Sequence, residues 1–269
     1  MTAKSGLAGS DEDLKSLYNV EATFEYTSRS GLARALRTFL EHTDNILDHA
    51  VLVTRFPPQL FDAEDDNNSL PVKGKVVYFR NLQILILIMA GGPHEVLARE
   101  VNALVVEKLT KMDLRKDFTM SGALKQPIGN VSKEPDESWG PRSVNYHPTC
   151  VLEVGLSQSL RAVEVDAQRW IESERSHVTQ VMTAKIYPQR REIIFAIWRR
   201  TISGKAEKNE EMHIEMHGDQ PSVRGDRRLR LFFKELFERQ PVPGTSEGDV
   251  ILSYRELGMI AERVWEFMG

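Results

Sequence analysis

Two carboxylates, one in a polar turn and one in an apolar run, are the residues of this sequence best suited to chemistry. Asp136 follows Pro135 in the turn, and Glu153 lies inside the run Cys150 to Val154. Two carboxylates on neighbouring strands can share a hard cation such as Mg²⁺, and that cation can activate water and stabilise a phosphate in hydrolysis. The alternative is that Glu153 faces solvent from a half-exposed strand, because alternating exposure is the default in strands.

The elements that position these acids can be predicted from the segment before them. Ile84 to Met89 is a short apolar run that ends at Gly91-Gly92-Pro93, which indicates a buried strand. Pro93 suits the first turn of a helix, and apolar residues follow at helical spacing as far as Leu109. The predicted order is therefore a strand, a helix with His94 and Glu95 on its first turn, the Pro-Asp segment, and the strand that carries Glu153.

Three segments of the chain resemble the Uma-two-like restriction endonuclease family of the PD-(D/E)XK nuclease superfamily. They read LILIMAGGPHEVLAREVNALVVEKL, KEPDESWGP and HPTCVLEVGLSQS. In that family a strand ends in a Met-x-x-Gly-like turn and a His opens the next helix. A Pro-Asp comes later, and a Glu-Val strand leads into a Ser-x-Ser turn. The resemblance covers about residues 80 to 200, and the order of the parts is more specific than any one motif.

The resemblance implies a fold, a reaction and a set of site residues. The fold would be α/β and restriction-endonuclease-like, a mixed central sheet flanked by helices with helical extensions at both termini. The reaction would be metal-dependent hydrolysis of phosphodiester bonds in DNA or RNA. Asp136 and Glu153 would bind Mg²⁺ or Mn²⁺, and Glu95 would be an auxiliary acid on the first helix.

One position departs from the superfamily motif, which has a Lys two residues after the Glu. Gly155 stands at that position. The resembling family often carries the Lys on the next helix, where this chain offers Arg169, and Lys185 in the strand predicted from Val178 to Ile186 is another substitute. Arginine holds its proton almost permanently, so Arg169 could neutralise a phosphate but not act as a base. We therefore expect weak cleavage, or alternatively a catalytically inactive nuclease fold that binds nucleic acid or protein.

The domain organisation follows from where large apolar residues occur. Residues 1 to 16 contain few of them, so we expect a disordered N-terminus. Residues 17 to 269 are predicted to form a single α/β nuclease-like domain, with a core at about 75 to 200 and further strands and helices over 201 to 269. The spacing predicts one helix from Leu32 to Ala50 and another from Leu229 to Phe237. A last helix is predicted after Ser253, with Glu256 completing a capping box.

Composition bears on the compartment. The single cysteine, Cys150, rules out an internal disulfide and fits a reducing compartment. The apolar run Leu82 to Ala90 is too short to span a bilayer, and the first residues lack the apolar stretch of a signal peptide. The expectation is an intracellular protein of the cytoplasm or nucleus with no membrane partner, and a homodimer is left open.

Charge is distributed unevenly along the chain. Residues 1 to 70 carry 12 acids against 6 Lys or Arg, whereas residues 185 to 239 carry 13 Lys or Arg against 9 acids. A local basic surface is what a nucleic-acid partner requires, and the candidate clusters are Arg190-Arg191, Arg199-Arg200 and Arg224 to Arg230. The alternative is an ordinary solvated surface, because charged residues are usually exposed.

Overall fold

The computed structural model describes residues 11–44, 46–62, 74–143, 146–218 and 220–268. The helices in these ranges are α1 (Asp11–Tyr18), α2 (Arg29–Leu40), α3 (Pro58–Asp62), α4 (Gly92–Lys111), α5 (Leu160–Glu172), α6 (Phe233–Phe237) and α7 (Tyr254–Met268). The strands are β1 (Ala22–Glu25), β2 (His49–Thr54), β3 (Lys75–Phe79), β4 (Ile84–Met89), β5 (Phe118–Met120), β6 (Gln126–Ile128), β7 (Val131–Lys133), β8 (Glu137–Pro141), β9 (Cys150–Gly155), β10 (Gln180–Tyr187), β11 (Glu192–Arg200), β12 (Ala206–His217), β13 (Gln220–Gly225), β14 (Arg228–Leu231) and β15 (Val250–Ser253).

These strands form two mixed sheets and a two-stranded ribbon. The first sheet has the order β1-β2-β4-β3-β7-β6, and β1 with β2 is its parallel pair. The second has the order β13-β12-β11-β10-β9-β8-β5, with β9 and β10 parallel. Strands β14 and β15 form the ribbon. The predicted class, mixed sheets flanked by helices, is confirmed, although the strands are divided between two sheets instead of one central sheet.

The strand β4 is apolar throughout because both of its faces are covered. Ile84, Ile86 and Ile88 pack into the layer between the first sheet and α5. The alternate residues Leu85, Leu87 and Met89 pack under α2. A strand buried on both faces reads as a continuous apolar run instead of an alternating one.

The layer between the two sheets receives one face of each strand that borders it. On β3 the residues facing this layer are Val77 and Phe79, and on β9 Val151 faces it. Successive side chains of a strand point to opposite faces, so Lys75 shares the face of Val77 and Phe79. Glu153 shares the face of Val151 by the same rule. This alternation directs two charged side chains into the layer beside apolar residues of the same strands.

The helix α4 covers the other face of β9. Its residues Leu97 and Val101 pack with Leu152 and Val154 of that strand. The residues of β9 therefore contribute to the cores on both of its sides. Strand β4 shares the core on one face of β9 and helix α4 shares the core on the other, so β9 lies between the two.

Three predicted elements are wrong in extent. The helix predicted from Leu32 to Ala50 ends at Leu40, because Asp44 Oδ1 accepts the backbone N–H groups of Ile46 and Leu47 in a turn that β2 follows.

The segment predicted as a helix from Leu229 to Phe237 is strand β14 followed by the short helix α6. Within the N-terminus predicted to be disordered, Asp11–Tyr18 forms α1, since Leu14 and Tyr18 are buried in the layer between the sheets. Residues 1 to 10 lie outside the described residues, and the single-domain prediction stays a prediction.

The C-terminal helix begins as predicted. Ser253 N donates to Glu256 Oε2 at 2.9 Å, and Glu256 N donates to Ser253 Oγ at 3.4 Å, which is the reciprocal pairing of a capping box. Among the described helices, none is both long enough and apolar enough to cross a bilayer.

Candidate active site

The pairing of β8 with β9 brings Asp136 close to Glu153. Glu137 pairs with Leu152 and Ser138 with Val151 in this antiparallel ladder, and Asp136 directly precedes it. Asp136 N donates to Leu152 O at 3.0 Å, one residue out of the register of the ladder, and Val154 N donates to Asp136 Oδ2 at 2.6 Å. Both carboxylates contact Lys75 Nζ of the facing sheet, so both enter the layer between the sheets.

The ammonium group of Lys75 lies between the two carboxylates. Lys75 Nζ is 2.9 Å from Asp136 Oδ2 and also donates to Glu153 Oε2. The lysine comes from β3 of the facing sheet, at the inward position that alternates with Val77. Burial opposes its charge, but the negative charges of Asp136 and Glu153 outweigh that effect and raise the pKa of Lys75 above its usual range. Lys75 is therefore held as an ammonium ion.

A second lysine binds the far side of Glu153. Lys133 Nζ is 3.0 Å from Glu153 Oε2 and 2.9 Å from Asp166 Oδ2, and the lysine side chain has no solvent exposure. The remaining oxygen of Glu153, Oε1, accepts a hydrogen bond from Trp170 Nε1. Glu153 is thus fixed by donors from β3, β7 and α5.

On the opposite side, a histidine connects Asp136 to a third acid. His94 Nε2 is 3.0 Å from Asp136 Oδ1, and His94 Nδ1 is 2.9 Å from Asp48 Oδ2. Burial opposes protonation of the ring, but the charges of Asp48 and Asp136 outweigh burial and raise the pKa of His94 to about 10. The imidazolium then donates from both ring nitrogens. Asp48 also accepts the backbone N–H groups of Gly91 and Leu156.

Asp166 is the last acid of this series of ion pairs, and it accepts a hydrogen bond from a tyrosine of the N-terminal helix α1. Tyr18 Oη donates to Asp166 Oδ1 at 3.0 Å, and Arg169 donates to the same carboxylate oxygen and to Tyr18 Oη. Burial, followed by the charge of Asp166, raises the pKa of Tyr18 above its usual range. The hydroxyl group of Tyr18 therefore stays protonated.

The network balances four acids against four cations. The acids are Asp48, Asp136, Glu153 and Asp166, and the cations are His94, Lys75, Lys133 and Arg169. Buried charges persist only when they are paired and hydrogen-bonded. Each oxygen of Asp136 and of Glu153 accepts at least one N–H in this arrangement. Burial opposes ionisation of Asp136, but Lys75 and His94 hold its pKa well below its usual range.

Three residues predicted for the site lie outside the contact between Asp136 and Glu153. Glu95 is exposed on α4 and pairs with Arg99 at 3.3 Å. Arg169 lies beyond Asp166, and Lys185 donates to the backbone oxygen of Leu156, where burial lowers the pKa of the lysine to about 8. The described hydrogen bonds join none of these three to either acid of the pair.

The predicted basic clusters are largely paired with acids. Arg199 binds Glu235, Arg230 binds Glu210, and both Arg190 and Arg224 contact Glu192. Arg200 donates to the backbone oxygens of Ser176 and Val178. These pairings favour the alternative that the clusters are part of an ordinary solvated surface.

Sequence reasoning missed several members of the network. Lys75 had a usable signal, because it opens an apolar strand at the inward position, and Lys133 had a weaker one, three residues before Asp136. Asp48 had none, since the segment around it was interpreted as helix. Tyr18 and Asp166 join the network only through packing between the sheets, which no local pattern indicates.

The donor set bears on whether a divalent cation fits. Asp136 Oδ2 and Glu153 Oε2, from different segments, converge on one positively charged atom, and hard oxygen donors that converge in this way suit Mg²⁺ or Mn²⁺. The ammonium group of Lys75 is thus a stand-in for a shared cation. A divalent ion and Lys75 would compete for the same two oxygens.

Comparisons with known proteins include a solved structure of similar fold. No protein-family model matches the sequence, and no curated protein matches it. Among solved structures, the fold is similar to a crystal structure from Anabaena variabilis ATCC 29413 described as a "putative nuclease belonging to DUF820". The two share 16% identity with a TM-score of 0.40, over 69% of this chain and 90% of that chain.

Proposed function

We propose that this chain is a metal-dependent phosphodiester hydrolase of nucleic acid, with Asp136, Glu153 and Lys75 as its reactive set. The observation that carries the proposal is the convergence of both carboxylates on the ammonium group of Lys75. The resembled superfamily uses two acids and one lysine, and here the lysine comes from the facing sheet instead of position 155. The sequence predicts Arg169 on α5 or Lys185 on β10 as the substitute for this lysine. Lys75 on β3 is better supported, because it contacts both carboxylates.

The proposed roles follow from the surroundings of each group. Asp136 and Glu153 would hold Mg²⁺ or Mn²⁺, which supplies positive charge and a bound water of lowered pKa. Lys75 would neutralise phosphate charge, because its raised pKa keeps it protonated at neutral pH and unsuited to act as a base. His94 positions Asp136, while Lys133 and Trp170 position Glu153.

The reactive side chains are buried, so a substrate can reach them only if the layer between the sheets opens. The side chains of Lys75 and Asp136 are each 7% exposed and that of Glu153 is 2% exposed. A phosphodiester needs direct contact with these groups, so the layer between the sheets must open at its Asp136 and Lys75 side. The charge balance resists opening, because opening would break the hydrogen-bonded contacts of Lys75 with both carboxylates. This condition is a second reason to expect slow turnover.

A second candidate function is supported by the same charge balance. Every oxygen of the acid pair accepts a donor and four buried cations neutralise four buried acids. Such an arrangement needs no metal to be stable, which favours a nuclease-type fold that has lost catalysis and serves as a binding module. A DNA or RNA partner, or a protein partner, would then be recognised at another surface.

Cleavage assays with matched variants separate the two functions. Labelled single- and double-stranded DNA and RNA are incubated with purified protein and Mn²⁺, then resolved on gels. We expect slow cleavage by the wild type, lost in Asp136→Asn, Glu153→Gln and Lys75→Met. Lys205→Met is the control, because Lys205 is an exposed lysine that pairs with Glu172 on the surface.

The outcomes are distinct. Cleavage that persists in Asp136→Asn and Glu153→Gln would assign the activity to another site or a contaminant. An absence of cleavage on all four substrates, by a wild type that melts cooperatively, would establish the inactive fold as the better reading. Variants of Lys185 and Glu95 should keep wild-type rates if Lys75 is the lysine of the reactive set.

A further inference from the structure

Two histidines and a glutamate from three separate segments meet on the surface of the molecule. His147 precedes β9, His177 precedes β10, and Glu238 follows α6. One ligand atom from each lies within 4.8 Å of the other two. His147 Nε2 is 3.3 Å from Glu238 Oε2. None of these residues belongs to the buried charge network.

The parallel pairing of β9 and β10 brings the two imidazoles together. Cys150 pairs with Gln180, so His147 and His177, each three residues earlier, lie side by side. Their rings stack with centroids 3.8 Å apart and planes inclined by 27°.

Hydrogen bonds hold the three segments in place. Thr149 Oγ1 donates to Leu236 O at 2.8 Å, and Thr179 N donates to Thr149 O at 2.9 Å. Thr149, Thr179 and Leu236 each lie two positions from a candidate ligand, which is His147, His177 and Glu238 respectively. Glu238 adopts a left-handed backbone with φ of 56°, which is uncommon for a residue other than glycine and is a strain found often at functional positions.

The donor chemistry selects the class of ion. Two imidazole nitrogens and one carboxylate oxygen suit Zn²⁺, Cu²⁺ or Ni²⁺ better than Mg²⁺, and three such ligands with an open fourth position recur in zinc sites. Tetrahedral ligands at about 2.0–2.1 Å from zinc lie about 3.3 Å apart. His147 and Glu238 already have that separation. A cavity of about 20 Å³ lined by both imidazoles is large enough for one ion or water.

We propose that His147, His177 and Glu238 form a binding site for a divalent transition-metal ion of the Zn²⁺ class. This site is independent of the proposed hydrolase function and shares no residue with it. A bound ion joins the starts of β9 and β10 to the end of α6. Arg175 lines the same cavity, and its positive charge lowers the affinity, so Arg175→Ala should bind zinc more tightly.

The test is a zinc titration of the full chain after removal of metals, in competition with a chromogenic zinc chelator. We expect one equivalent to bind in the wild type. His147→Ala, His177→Ala and Glu238→Gln should each weaken binding by at least about 100-fold. His217→Ala is the matched control, since His217 is an exposed histidine whose ring lies 3.7 Å from Glu215. This control should bind zinc as the wild type does.

Thermal melting gives a second readout. Zinc should raise the Tm of the wild type and of His217→Ala but not of the three ligand variants, because an ion that binds only the folded state stabilises it. The ligand side chains are exposed or half-buried, so their variants should melt as the wild type does without zinc. Zinc binding that survives in His147→Ala/His177→Ala, or no binding to the wild type, would overturn the proposal. Displacement of zinc by an equal concentration of Mg²⁺ would also overturn it.

Discussion

Lys133 on one sheet donates to Glu153 on the other at 3.0 Å, and no part of the lysine side chain is exposed. Lysine is almost never fully buried unless it is paired. Here Glu153 and Asp166 together provide two carboxylate partners. The contact therefore joins the two sheets through charge, inside a layer that apolar side chains also fill.

Removal of the Lys133 charge should destabilise the fold severely. Lys133→Met leaves Glu153 and Asp166 with less compensation inside the protein, and breaking a buried pair by removing one partner costs about 3–5 kcal/mol. The free energy of unfolding from urea titration measures the loss. Lys205→Met, which removes an exposed lysine paired with Glu172, should change that free energy little. Equal effects of the two substitutions would contradict the importance of the buried pair.

Stability should fall as the pH rises above neutrality because of His94. The folded-state pKa of His94 is about 10, raised from 6.5 by Asp48 and Asp136 against the opposing effect of burial. Its contribution is complete below about pH 6.5 and is lost as the pH rises towards 10, since the unfolded state releases the proton first. We expect the urea midpoint of the wild type to fall between pH 7 and pH 9 by more than that of His94→Gln. Parallel profiles for the two proteins would show that His94 is not held protonated.

Ionisation of Glu137 should lower the stability of the fold, whereas the charge of His94 raises it. Burial, followed by the charges of Asp136 and Glu95, raises the pKa of Glu137 to about 7. The folded state therefore loses stability as the pH rises from about 4.5 to 7. Glu137→Gln should have a higher Tm than the wild type at pH 8 and the same Tm at pH 4. A gain of similar size at both pH values would point to packing instead of charge.

A lysine placed at position 155, where the resembled motif has one, should destabilise the protein. A Cβ atom built on Gly155 would lie 2.5 Å from Val163 Cγ2 on α5, and such overpacking costs about 1–3 kcal/mol. Gly155→Ala isolates the steric effect, which denaturant titration measures. Val163→Ala should recover most of the loss when combined with Gly155→Ala. An additive double variant would contradict a direct clash.

Divalent cations should distinguish a usable acid pair from one that is permanently closed. If Asp136 and Glu153 bind Mn²⁺, the ion should raise the Tm of the wild type and leave Asp136→Asn unchanged. The measurement is best made in the His147→Ala background, where the proposed zinc-class site is absent. Lys75→Met should lose stability without metal and regain more of it with Mn²⁺ than the wild type gains, since the competing ammonium group is gone.

The sequence predicted the parts of the molecule that depend on local pattern. The strand Ile84–Met89, the helix from Gly92, the strand of Glu153 and the Ser253 cap all follow from apolar spacing or capping chemistry. The sequence also indicated Asp136 and Glu153 as the acids of the site. Lys75 has a local signal for its inward position but none for its carboxylate partners, and Asp48 and Tyr18 have no such signal. These three residues contact the charge network only because two sheets pack face to face. Packing between sheets leaves no periodic pattern in the sequence.

The origin of Lys75, Asp48 and Tyr18 has a consequence for how the protein can be divided. A fragment cut at the limits of the family resemblance, about residues 80 to 200, would keep Asp136, Glu153, Lys133 and Asp166. It would lose Lys75 and Tyr18, and with them part of the counter-charge and one hydrogen-bond donor of those acids. The part of the chain that carries the recognisable motif is therefore not a unit that can be expressed or transferred on its own. A fragment that keeps these contacts has to include the N-terminal segments as well.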